Sequence, residues 1–177
     1  MRRLILALAF VSIVANLESC KRKKKQQVEY VDEGSGQLAS TINIADPRTT
    51  IQLVRGFHDL ENSAWRWTMG KFAVSLRPPA TPPGKSTNLV LKFSIPATVL
   101  AKHKSIVISA TVSGVPLDSA TFASEGEQEY RRKVPANALQ DDMVPVEFSL
   151  DKFFAAGTLD LRELGIVVSV IGLEIAP

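Results

Sequence analysis

The chain has little of what most enzymes are built around. Among its 177 residues there is one cysteine and there are two histidines. A single cysteine excludes an intramolecular disulfide, a CxxC redox pair and a cysteine-rich zinc site. His58 and His103 stand far apart, with no HxH or HExxH spacing, so no metal site and no cofactor is expected. GxSxG, P-loop and GxGxxG motifs are missing as well. Helical periodicity is scarce, and no repeat of 20 to 50 residues recurs, which excludes propellers and solenoids. A basic surplus is also missing where it would matter. From Gln26 onward 14 Lys and Arg stand against 17 Asp and Glu, a net of −3, so the positive surplus lies wholly in the first 25 residues, where 7 Lys and Arg stand against 1 Glu. The body is therefore no basic nucleic-acid-binding surface.

What is present is apolar and punctuated. Hydrophobic residues make up 45% of the chain, enough for a core, and ten prolines and ten glycines interrupt short apolar runs. Met1-Arg2-Arg3 followed by apolar Leu4 to Val14 has the form of a secretory signal, too short for the roughly 20 residues that a membrane span needs. Leu17-Glu18-Ser19-Cys20 resembles a bacterial lipobox, with Glu18 a departure from it. The resemblance implies a signal peptide over residues 1–19, cleavage before Cys20 and acylation there. Lys21 to Lys25 then lie against anionic headgroups, each charge worth about 1 kcal/mol. The alternative is an uncleaved anchor with KRKKK as its stop-transfer flank. Either reading predicts a bacterial cell-envelope protein held at a membrane. Residues 20–40 form a polar stem with Gly34-Ser35-Gly36, and the domain spans residues 41–177.

Within the domain, period-two alternation dominates. Phe72, Val74 and Leu76 are expected to point inward, as are Leu89, Leu91, Phe93 and Ile95, then Ile106, Ile108, Ala110 and Val112, then Val144, Val146, Phe148 and Leu150. Thr41–Ala45 and Thr49–Val54 read as two strands or one broken strand, Met69-Gly70 as a tight turn, and Gly114-Val115-Pro116 as another. Glu127–Val134 carries Tyr130 amid charges and reads as an edge or surface strand. The last strand, Ile166–Ile175, shifts its alternation near Val170-Ile171, as a bulge would. Val99–Lys104, Pro135–Gln140 and Asp151–Ala156 are the candidate helical turns. The pattern predicts an all-β fold: a single antiparallel two-sheet β-sandwich of jelly-roll or immunoglobulin-like type, with about seven to nine strands.

The candidate site centres on residues 55–77. Trp65 and Trp67, at i and i+2, share one face of a strand, with Arg66 and Thr68 on the other. A pair of indoles is a platform for sugar rings, whereas in a sandwich of this size one tryptophan is usually core. His58 and Glu61 precede them and are the polar residues to test beside the indoles. Arg66 is placed to pair with Glu61 or Glu163, and Asp160, Arg162 and Glu163 of DLRELG are read as turn-forming ion pairs. His103, between Lys102 and Lys104, reads as solvated loop. Glycoside hydrolysis would need two of Glu61, Asp160 and Glu163 in one cleft.

Gly56-Phe57, Glu61, Trp65-Arg66-Trp67-Thr68, Phe72-Ala73-Val74 and the late Asp160-Leu161-Arg162-Glu163-Leu164-Gly165 resemble β-sandwich modules that accompany bacterial glycosyltransferases and cell-surface polysaccharide biosynthesis proteins. The resemblance runs from about Ile51 to Ile175 and implies a non-catalytic sugar-binding or assembly domain, with a polysaccharide or an envelope protein as partner. No transferase domain accompanies it here.

Overall fold

The computed structural model describes residues 38–157 and 160–177. The signal-like residues 1–19, Cys20, Lys21–Lys25 and the stem up to residue 37 lie outside them. No helix among the described residues is long and apolar enough to cross a membrane.

Nine strands form among the described residues: β1 (Thr41–Asn43), β2 (Leu53–Glu61), β3 (Trp65–Leu76), β4 (Thr87–Ile95), β5 (Ile106–Val112), β6 (Val115–Phe122), β7 (Gly126–Val134), β8 (Val144–Leu150) and β9 (Val167–Ile175). A helix, α1 (Ala97–His103), joins β4 to β5, and 3₁₀ turns occupy Pro47–Gln52 and Ala136–Ala138. All the inward residues named above for β3, β4, β5 and β8 are buried in one hydrophobic cluster. Phe72 and Phe148, cross-strand partners of β3 and β8, stack with ring centroids 4.8 Å apart.

The strands join one continuous sheet where two separate ones were expected. Its path is β6-β5-β8-β3-β9-β4-β7, with β1 beside β9 and β2 beside β3. β3 makes the connection. Arg66 and Trp67 pair with β9, Lys71 to Leu76 pair with β8, and β2 runs along the other edge. The two end strands then approach each other. Tyr130 Oη of β7 donates to Asp118 O of β6 at 2.9 Å, and Arg132 donates to Asp118 O and Ser119 O at 2.9 and 3.1 Å. Side chains thus satisfy edge carbonyls that a further strand would otherwise fill, and the sheet nearly closes into a barrel.

Several local expectations are corrected. Met69-Gly70 is no turn, since β3 continues through it. Residues 49–52 form a 3₁₀ turn, because Asp46 caps it by accepting the Arg48 amide at 3.0 Å and Pro47 suits the first turn. The β5–β6 turn falls on Ser113 and Gly114, both at positive φ, and Val115 already begins β6, a strand hidden by its polar outer face. Asp151–Ala156 is not helical; Phe154 bridges Leu164 instead. Tyr130 is fully buried despite its charged neighbours, because in a strand Glu129 and Arg131 point the opposite way. His103 is half-buried at the end of α1, with its ring against Phe154 at 5.5 Å. The bulge in β9 is present: the register with β4 slips between Lys92↔Val170 and Phe93↔Val168, leaving Ser169 unpaired.

Candidate functional site

The residues singled out by sequence gather at one end of β3. Asn62 and Ser63, at φ 48° and 54°, form the tight connection between β2 and β3, and the DLRELG turn docks onto this hairpin. Arg162 is the hub. Its guanidinium donates to Glu61 at 2.7 Å and to both Asp160 oxygens at 3.1 and 3.0 Å. Arg162 holds the Asp160 carboxyl below the usual carboxylate range, chiefly through these hydrogen bonds, and is itself pushed up by Asp160 and then Glu61. Glu163 accepts the Gly70 amide at 2.7 Å. That amide lies in the gap where β3 leaves β9 and has not yet met β8, so the carboxylate stands in for a missing ladder partner. The gap is sealed further by Gly165 N–H to Thr68 O at 2.7 Å, and by Ile166 N–H to the buried Thr68 hydroxyl at 3.2 Å.

His58 Nε2 lies 2.6 Å from Glu163 O. A carbonyl only accepts, so Nε2 carries the proton and the ring is held as a strut. Arg66 bonds neither Glu61 nor Glu163, contrary to expectation. It donates to His58 O at 2.9 Å, because Arg162 and the Gly70 amide already hold the two carboxylates. Gly56 and Phe57 belong to the same device. At φ 77° Gly56 lets β2 pass so close to β3 that a Cβ there would sit 2.2 Å from Lys71 O, and Phe57 packs edge-on against Phe72 at 5.5 Å.

Trp65 and Trp67 are both half-buried, and Trp67 also packs against the core cluster. Along β3 the even-numbered residues Thr68, Phe72, Val74 and Leu76 face inward and are buried. Alternation therefore places Trp65, Trp67, Met69, Lys71 and Ala73 on the solvent side. Sequence reasoning found the indoles but singled out no role for Lys71.

Lys71 borders a shallow cavity of about 290 Å³ on the outer face of β2, β3, β8 and β5. Cross-strand register builds it in rows: Lys71 opposes Ser149, which opposes Ser109, and in the next row Ala73 and Thr111 flank Glu147. Arg55 reaches across Ala73 to Glu147 at 2.5 Å, which explains why an outward alanine is buried. Lys71 has no ion pair among the described residues, and Thr111 Oγ1 is buried without a hydrogen-bond partner. A second cavity, about 560 Å³, lies at the opposite end of β3 between Pro78-Pro79 and Lys133–Ala136. No three His, Cys, Asp or Glu side chains among the described residues gather as a metal site.

No protein-family model matches the chain, and no curated protein matches it. Among solved structures it is similar to part of a family GH115 4-O-methyl-α-glucuronidase with specificity for decorated arabinogalactans, with TM-score 0.50 and 11% identity over 77% of this chain. The chain spans 17% of that enzyme's length, and the likeness is one of fold alone. It is also similar to a family 35 carbohydrate-binding module from an environmental isolate, with TM-score 0.40 and 13% identity over 82% of this chain and 93% of the module. Carbohydrate-binding module CBM36, in complex with calcium and xylotriose, gives TM-score 0.39 and 8% identity over 76% and 98%. These two likenesses are too weak to carry an argument.

Proposed function

We propose that the protein is a non-catalytic, lipid-anchored cell-envelope module whose β-sandwich binds a glycan on the solvent face of β3. The observation that carries this reading is the alignment of Trp65, Trp67, Met69 and Lys71 on that one face, leading from two half-exposed indoles into a hydroxyl-lined hollow. Apolar ring faces flanked by polar groups match the two kinds of surface on a sugar.

The strand order supports the jelly-roll form of the sandwich. The runs β6-β5-β8-β3 and β1-β9-β4-β7 make two four-stranded halves, joined through the short β3–β9 ladder and flanked by β2. The carboxylates support binding over hydrolysis. Glu61 and Asp160 are held by Arg162, and Glu163 by the Gly70 amide, so all three candidates for acid–base work fix the turn instead.

Glycan arrays probed with the intact protein test the reading. Trp65→Ala is expected to lose array binding while its melting temperature stays within a few degrees of the parent. An array left blank by the parent protein overturns glycan binding. A protein partner is the second reading, favoured by exposed Val54 and Leu60 on the free edge of β2 and by Leu161 on the docked turn. Crosslinking in membranes then traps one protein while glycan screens stay blank.

A further inference from the structure

We infer that the hollow beside Lys71 selects an acidic sugar residue, so that the glycan recognised carries carboxylate or sulfate groups; this rests on the glycan-binding reading above. Three observations lead there. The first is the charge inside the hollow. Arg55 and Glu147 neutralise each other across Ala73, and Lys71 stays as the one lining cation with no carboxylate within ion-pair distance among the described residues. An ammonium on a sheet face with neutral hydroxyls around it is a point charge awaiting an anion.

The second observation is the row in which Lys71 stands. Ser149 and Ser109 lie directly across β8 and β5 from it, so one cation and two hydroxyls run in line across three strands about 4.8 Å apart. An anionic group at Lys71 therefore places the remaining ring hydroxyls over groups that both donate and accept. Strand positions hold these groups more rigidly than a loop would.

Thr111 supplies the third. Its hydroxyl oxygen is buried with no partner, next to Glu147 in register and lining the same hollow. Buried polar atoms are nearly always satisfied, and an orphan of this kind marks a place where a partner is missing. A polyol hydroxyl entering beside Glu147 provides one. The tryptophans stand four and six positions before Lys71 on the same face, roughly 13 to 20 Å along the strand, so the acidic unit is one residue of a longer chain that also reaches the indoles.

Matched polymers test the inference with the full-length protein in detergent: polygalacturonate against its methyl ester, and dextran sulfate against dextran. The acidic member of at least one pair is expected to bind about five-fold more tightly or better, the scale of one partly exposed charge pair, and the preference is expected to vanish near 1 M salt. Lys71→Ala should erase the preference with an unchanged melting temperature, and Lys71→Arg should restore it. Equal binding of acidic and neutral members, or a preference that survives Lys71→Ala, overturns the acidic-sugar inference and leaves glycan binding standing. Binding to no polymer and to no glycan on an array overturns both.

Discussion

Arg162 shows how one side chain sets the character of a site. Three of its five donors reach Glu61 from the hairpin and Asp160 from its own turn, and a planar fork suits two carboxylates where a lysine would serve one. The pair is exposed, so its worth is modest and sensitive to salt. Its pH dependence is nonetheless specific. The Asp160 carboxyl is held below its ordinary value, so the stabilisation is fully present above the unfolded value of about 3.9 and is lost as pH falls through the lower folded value. Asp160→Asn is expected to lower the urea midpoint at pH 6 and to converge with the parent as pH falls below the lowered value of the Asp160 carboxyl. A gap between the two proteins that widens on acidification would refute the assignment. The pairing of Asp160 with Arg162 inside the turn was legible in the sequence, but the partner of Glu61 was not. Glu61 and Arg162 lie 101 residues apart, and only the docking of the turn decides that Arg162, and not Arg66, takes the carboxylate.

Strand β3 is the element around which the sheet turns. It is twelve residues long and serves two partners on one edge, β9 first and β8 after, leaving a gap near Gly70 that residues 163–166 fill. A strand that passes from one partner to another turns a corner in the sheet. β2 must press closely against β3 through this bend, which is the task of Gly56. Gly56→Ala forces a Cβ to within 2.2 Å of Lys71 O at a φ of 77°, and is expected to cost about 3 kcal/mol or more in chemical denaturation. A loss under about 1 kcal/mol would mean that β2 can move off β3 freely. Strict alternation made the inner face of β3 readable, whereas its continuity through Met69-Gly70 was not, because glycine ordinarily marks a turn and here makes room for Phe153.

At the scale of the whole molecule, the sheet closes on itself through side chains, with Tyr130 and Arg132 of β7 bonding the carbonyls of β6. The outer face of β2, β3, β8 and β5 carries the hollow that Lys71 borders. We propose attachment to a membrane through residues 1–25, which hold the basic surplus and Cys20. Labelled palmitate is expected to enter the parent protein, and Cys20→Ala to shift it from the membrane to the soluble fraction. Membrane retention of that variant would favour KRKKK as the flank of an uncleaved anchor. The sequence by itself determined most of the strand content and the inward faces of β3, β4, β5 and β8, since period-two alternation and turn residues act within a few positions along the chain. Only the tertiary structure decided that the sheet is continuous, that Tyr130 is core, that the motif carboxylates brace a turn, and that Lys71, with no ion pair among the described residues, stands beside the hydroxyls of Ser109 and Ser149. Those outcomes depend on which strands become neighbours, and strand pairing joins residues that are distant in the chain and carries no local signature.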